Sequence, residues 1–323
     1  MRAAKFIFLA GLLALAGCPD KAHNESIKAS NEGFKNLNEG TLDLALDNFN
    51  KAIGKDKNNH RALLGKGQVY ARKAQEERAG AGKLTDSQKK MIQELWDKAV
   101  ESSRKAVALK PNNAAYRLQL GISLYEANKP KQAKEHLEET IKLQPDEKAY
   151  WYLGRIYASE DEPKKAAEAW REGCMANPHF GPNFVRLGEL YVRWDMPKEA
   201  LDVLKVGTKN AKGAQYLTNI YYNLGLAYRA MDNTDDAIKA FKKALRYSDA
   251  TKEARFQLGF ALMDKQKWKA AASQFKKFLA GNAGISTFDR SQAMRAQAEA
   301  MAAHMTGKIP ASMRFPDKKK KKK

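Results

Sequence analysis

Apolar and small residues return along this chain at a nearly fixed distance. Glycines stand at Gly121, Gly154, Gly188, Gly225 and Gly259, separated by 33 to 37 residues, and a leucine precedes each one. Tyrosines follow three residues later at Tyr157, Tyr191 and Tyr228. Twelve residues after each glycine comes an alanine (Ala133, Ala166, Ala200, Ala237, Ala271), and four after that a large apolar residue: Leu137, Trp170, Leu204, Phe241 and Phe275. Spacings of three, four and seven put each set on one face of a helix. The pattern therefore predicts helix pairs in which small residues let two backbones approach and large ones fill the space beside them. Pro111, Pro145 and Pro178 end second helices, which a proline cannot continue.

The arrangement of aromatic, Leu-Gly, Tyr, then Ala and a large apolar residue, then Pro, resembles the tetratricopeptide repeat. The resemblance implies an all-α, right-handed superhelical solenoid of helix-turn-helix units. Two further units precede the five regular ones. Gly33, Ala45, Phe49 and Ala52 keep the spacing of a first. Leu63, Gly67 and Tyr70, completed by Ala99, Ala106 and Pro111, form a second that carries 20 extra residues at about 76–95. Seven repeats then span about 24–285, and the Ala-, Gln- and Met-rich stretch at 286–307 predicts the cap helix that such arrays need.

Within the insertion, residues 78–83 read as a loop, and Thr85 with Gln88 as a capping box opening a helix. The simplest expectation lengthens both helices of this repeat, the second by about 9 residues, or about 13 Å. Met91, Ile92, Leu95 and Trp96 then lie along the hairpin, either packed inward or exposed as a docking surface.

The ends change the picture. Arg2 and Lys5 precede an apolar run from Phe6 to Ala16, too short to span a bilayer but suited to a secretory signal. Leu15-Ala16-Gly17-Cys18 resembles the lipobox of bacterial lipoproteins. This resemblance implies a signal peptide at 1–17, a thioether-linked lipid on Cys18, and a tether at 18–23. Pro19 rather than Asp20 follows the cysteine, which favours the periplasmic face of the outer membrane of a bacterial cell envelope. Residues 308–323 end in Lys318, Lys319, Lys320, Lys321, Lys322 and Lys323, a self-repelling run that predicts disorder and could meet an anionic membrane surface.

Composition adds less. The net charge is +21, of which eight charges lie in Arg2, Lys5 and the terminal lysines, leaving +13 on residues 18–317. Two cysteines cannot build a disulfide framework, and Cys174 reads as a small buried hydrophobe. The five histidines show no metal-ligand spacing, the run Gly80–Thr85 departs from a phosphate loop, and no nucleophile elbow occurs. Neighbouring carboxylates such as Glu138-Glu139 and Asp235-Asp236 read as solvated faces or caps. No enzyme, cofactor, metal or small-molecule substrate is expected.

Function then belongs to a surface. By the resemblance, first helices line a concave groove, placing Leu118, Ile122, Tyr125, Trp151, Tyr222, Phe256 and Phe260 there with Arg155, Arg193 and Arg229. The chaperone-binding version of the repeat uses Lys and Asn where this chain has other residues, so carboxylate capture is not expected. Apolar and aromatic side chains with arginines suit a protein partner with apolar anchors and acidic residues. The expectation is a membrane-anchored scaffold or adaptor for an envelope complex, similar to the lipoprotein pilotins of type IV pili. Adaptors for cell-wall hydrolases or for outer-membrane assembly share the architecture and stay open. A cytosolic nucleic-acid-binding repeat protein is the remaining alternative, and it requires Cys18 not to be lipidated.

Overall fold

The computed structural model describes residues 21–80, 82–280 and 286–306. The stretch expected to be a signal peptide, Cys18 and the terminal lysines lie outside the described residues. The described chain is all-α, in two compact units that divide after Pro145. The first unit holds Lys21–Glu39 (α1), Leu42–Lys55 (α2), His60–Ala79 (α3), Asp86–Leu109 (α4), Ala114–Glu126 (α5) and Pro130–Leu143 (α6). The second holds Glu147–Ser159 (α7), Pro163–Ala176 (α8), Gly181–Arg193 (α9), Pro197–Asn210 (α10), Ala214–Ala230 (α11), Thr234–Tyr247 (α12), Lys252–Asp264 (α13), Trp268–Ala280 (α14) and Thr287–Thr306 (α15). These are the expected helix pairs, three in one unit and four in the other, followed by the cap helix.

The repeat register has a steric explanation. A Cβ added to Gly154 would stand 2.3 Å from the Trp170 ring; at Gly225 it would stand 2.4 Å from Phe241, and at Gly188, 2.3 Å from Leu204. Each glycine is the floor on which the large side chain of the second helix sits. Phe241, Phe275 and Leu204 are completely buried there, each worth roughly 1.5–3 kcal/mol of transfer free energy.

The turns inside the pairs repeat as well. Asn128, Asp161, Asp195, Asp232 and Gln266 take φ between 55° and 59°, and Gly40 takes 82°. All six stand seven residues after the repeat glycine, in the left-handed region that ends a helix. The next backbone N–H reaches back five residues, as in Lys129 to Leu124 O at 2.9 Å and Glu162 to Tyr157 O at 2.8 Å. Pro130, Pro163 and Pro197 then open second helices, where a missing N–H costs nothing. Asn59, Asn113, Asp146 and Asn233 cap four others by accepting backbone N–H groups.

The second repeat departs as expected, with some differences. Its helices have 20 and 24 residues, against 13 and 14 in the pair that follows. Both halves of the Thr85–Gln88 capping box form. However, α3 continues through Arg78 and Ala79, because Arg78 pairs with Glu126 at 2.9 Å and the turn waits for Gly80. At the other end α1 begins at Lys21, inside the stretch read as a tether, and Ser26 fixes it by donating to Ala52 O at 2.8 Å.

The cap helix buries a stripe of alanines (Ala293, Ala296, Ala300, Ala303) and turns Met294, Met301 and Met305 outward. No described helix is long and apolar enough to cross a membrane.

Candidate partner-binding site

The expected groove residues occupy first helices in both units. In the first unit Leu118, Ile122 and Tyr125 stand half-buried along one face of α5. In the second, Trp151 and Arg155 lie one turn apart on α7, and the Arg155 guanidinium sits 4.6 Å from the Trp151 ring and 5.8 Å from Tyr152. That stacking holds a flat cation against a flat apolar surface. Beneath it, Trp170 Nε1 donates to the Trp151 carbonyl at 3.2 Å, so the position is anchored from the core side. Arg193 on α9 is exposed, with Glu189 3.8 Å away.

At the end of the second unit the aromatics converge. Phe256 meets Phe260 edge-on at 4.9 Å and Phe278 at 5.0 Å, while Phe260 packs on Phe275 at 5.0 Å and Tyr222 leans on Phe241 at 6.1 Å. Tyr222, Phe256 and Phe260 therefore support the core as well as lining its edge. They leave a recess of about 220 Å³ formed by Tyr222, Phe256, Gln257 and Phe278, rimmed by Lys252, Glu253 and Asp289. Burial raises the Tyr222 phenol pKa, Glu253 adds to the rise and Arg229 opposes it, so the phenol stays a neutral donor. Arg229 bonds to Gln257 and lies 3.9 Å from Asp264, yet its buried Nε finds no acceptor among the described residues.

Phe278, Gln257, Lys252 and Asp289 were not among the expected site residues. Phe278 carries the one legible signal. It holds the position seven after the repeat alanine, where Thr140, Gly173, Gly207 and Ala244 keep the other repeats small. A large side chain there reaches through to the first-helix face.

The insertion residues divide between the two outcomes. Ile92 and Trp96 are buried, whereas Met91 is exposed and borders a hollow with Leu95, Leu42 and Leu44. The carboxylates act as expected: Asp236 lies in the Asn233 cap and meets Lys239 at 2.9 Å, and Asp235 meets Lys265 at 2.7 Å. Gly80 and Thr85 are helix caps. Among the described residues no group of three or more His, Cys, Asp or Glu is placed to hold a metal ion.

Comparison with known proteins agrees with this architecture. Tetratricopeptide-repeat family models match residues 91–155 and 218–248. No curated protein matches the sequence. Among solved structures, PilW, titled a widely conserved type IV pilus biogenesis factor, superposes with a TM-score of 0.54 at 17% identity, over 71% of this chain and 96% of its own. The Cut9–Hcn1 assembly of the APC/C gives 0.53 at 14% identity, over 85% of this chain and 53% of that one. PilF of Pseudomonas aeruginosa gives 0.48 at 18% identity, over 62% and 88%. At these identities PilW and Cut9 share a fold with this chain, which is the fold its repeat glycines and their large partners build. The chain is a tetratricopeptide-repeat protein.

Proposed function

We propose that this protein is a lipid-anchored scaffold that binds protein partners through its first-helix faces during assembly of a bacterial envelope complex. The observation that carries the binding role is the half-exposed Trp151–Arg155 stack, an aromatic and a guanidinium held ready on a rigid helix. The aromatic recess at Tyr222, Phe256 and Phe278 offers a second anchor point of the same chemistry in the same unit. An amphipathic or extended segment with apolar anchors and acidic residues fits both.

The anchor rests on Leu15-Ala16-Gly17-Cys18, and the envelope setting follows from it. Adding that lipobox-like sequence to a fold shared with a pilus biogenesis factor supports a pilotin-like role on the periplasmic face of the outer membrane. The lysines at 318–323 would add an electrostatic attachment to anionic headgroups.

Two measurements test this reading. Metabolic labelling with an alkyne palmitate should mark the parent chain and leave Cys18→Ala unmarked. Crosslinking in the native envelope should recover a partner that Arg155→Glu loses while its melting temperature stays unchanged. Unlabelled parent protein would remove the anchor, and an unchanged partner yield would remove the α7 face from the binding surface.

A further inference from the structure

A further hollow lies in the first unit, and none of the expected groove residues lines it. It opens between the second helices α2 and α4, with α3 as its floor, and measures about 720 Å³. Ile53, Leu63 and Tyr70 supply an apolar base. Lysines border it from α3, from α4 and from the turn after α2: Lys66, Lys98 with Lys105, and Lys57. We propose that this groove docks an acidic protein segment that inserts an apolar side chain between α2 and α4.

Three observations carry the assignment. The first is charge. Glu101 is the one carboxylate in the lining, and it pairs with Lys105 at 2.7 Å. Lys105 lowers the Glu101 carboxyl pKa with help from Lys66, so one carboxylate serves both; Lys57 and Lys98 form no ion pair among the described residues, and Lys98 lies 5.9 Å over the Tyr70 ring. Four ammonium groups against one carboxylate around an apolar floor attract further carboxylates, and filling the floor strengthens each pair by excluding water.

The second observation is the open wall. Gly33, Gly65 and Gly67 are glycines by necessity, since an added Cβ would fall within 2.7 Å of Phe49 or Ser103. Gly54 in the last turn of α2 is different: an added Cβ would meet nothing within 4 Å. Packing does not require glycine there, and any larger side chain would stand in the hollow that Gly54 lines.

The third is shape. A flat headgroup layer would contact the lysine rim and leave Ile53, Leu63 and Tyr70 unfilled. A chain segment carrying a leucine or phenylalanine among acidic residues satisfies rim and floor together.

The test uses the full chain and a fluorescein-labelled peptide with two leucines in a Glu/Asp background, followed by anisotropy. Saturable binding should weaken about tenfold or more in the Lys57→Glu, Lys66→Glu, Lys98→Glu variant. Gly54→Leu should weaken it comparably without changing any charge, and all of these comparisons are made in the Arg155→Glu chain, so that the α7 face does not contribute. A peptide with serine in place of leucine should bind more weakly. Circular dichroism reports folding, and the same three lysines changed to Gln replace the Glu set if the latter fails to fold. Unchanged affinity in the lysine variants or in Gly54→Leu would overturn the proposal. So would equal binding of the serine peptide. Loss of binding only to phosphatidylglycerol vesicles, with peptide binding intact, would assign the lysines to a lipid surface instead.

Discussion

The fourth repeat (α7 and α8) and the second (α3 and α4) solve the same packing problem in two ways. In the fourth, Trp170 lies across Gly154 and a hydrogen bond to Trp151 O locks it. In the second, the corresponding residue is Ser103, completely buried, and an added Cβ on Gly67 would fall 2.6 Å from its Oγ and 3.3–3.4 Å from backbone atoms of α4. The large side chain has moved two turns back along the lengthened helix, to Trp96, which is 1% exposed. One repeat separates its helices with an indole; the other brings backbones together and transfers the indole to an extension. The small-residue rule is therefore about total volume between two helices, and the place where that volume sits can shift.

Truncation gives the largest effects on this comparison. Trp170→Ala and Trp96→Ala should each lose about 3–5 kcal/mol in urea unfolding. A small loss for Trp96→Ala would mean that the extension does not compensate for Ser103. Next comes Gly67→Ala, expected to cost about 1–3 kcal/mol by overpacking. Ser103→Ala in the same chain should recover part of it, because the closest atom is removed. Additive losses in the double variant would show that backbone, rather than the hydroxyl, limits the approach. Thr85→Ala should cost about 1 kcal/mol through the lost cap, seen as faster amide exchange at the start of α4. The smallest expected effect concerns Cys174 in α8, whose thiol burial pushes up to about 12. Iodoacetamide at mildly alkaline pH should leave it unmodified until the unit unfolds; rapid labelling of the native chain would show that the packing around α8 is looser than that around α4.

The sequence made the helix pairs legible because their contacts are local and periodic. Gly121 and Leu137, or Gly225 and Phe241, stand a constant distance apart, and one steric need recurs in each pair. The Thr85–Gln88 box was readable for the same reason, since both its partners lie within one turn. Other features join residues that no period relates. Lys57, Lys66 and Lys98 come from different elements and meet only once α2, α3 and α4 stack. The division after Pro145 leaves no mark either, because Pro145 ends its helix as Pro111 and Pro178 end theirs. Among the groove residues, position on the first helices was legible, but the share of each ring given to the core was not. Phe256 and Phe260 pack on Phe275, and Phe256 also on Phe278, whereas Trp151 and Arg155 stack on each other, both half-exposed.

The junction between α3 and α4 has a practical consequence. Elsewhere a left-handed residue and a five-residue backbone bond tie each pair's turn into the stack. At this junction α3 has its C-cap at Gly80, α4 has its own box at Thr85, and an added Cβ on Gly82 meets nothing within 4 Å. The two helix ends are finished independently, so the chain between them can be opened at little cost. A fluorescent protein or epitope inserted between Gly82 and Lys83 would report on the protein in living cells while leaving both chain termini unaltered.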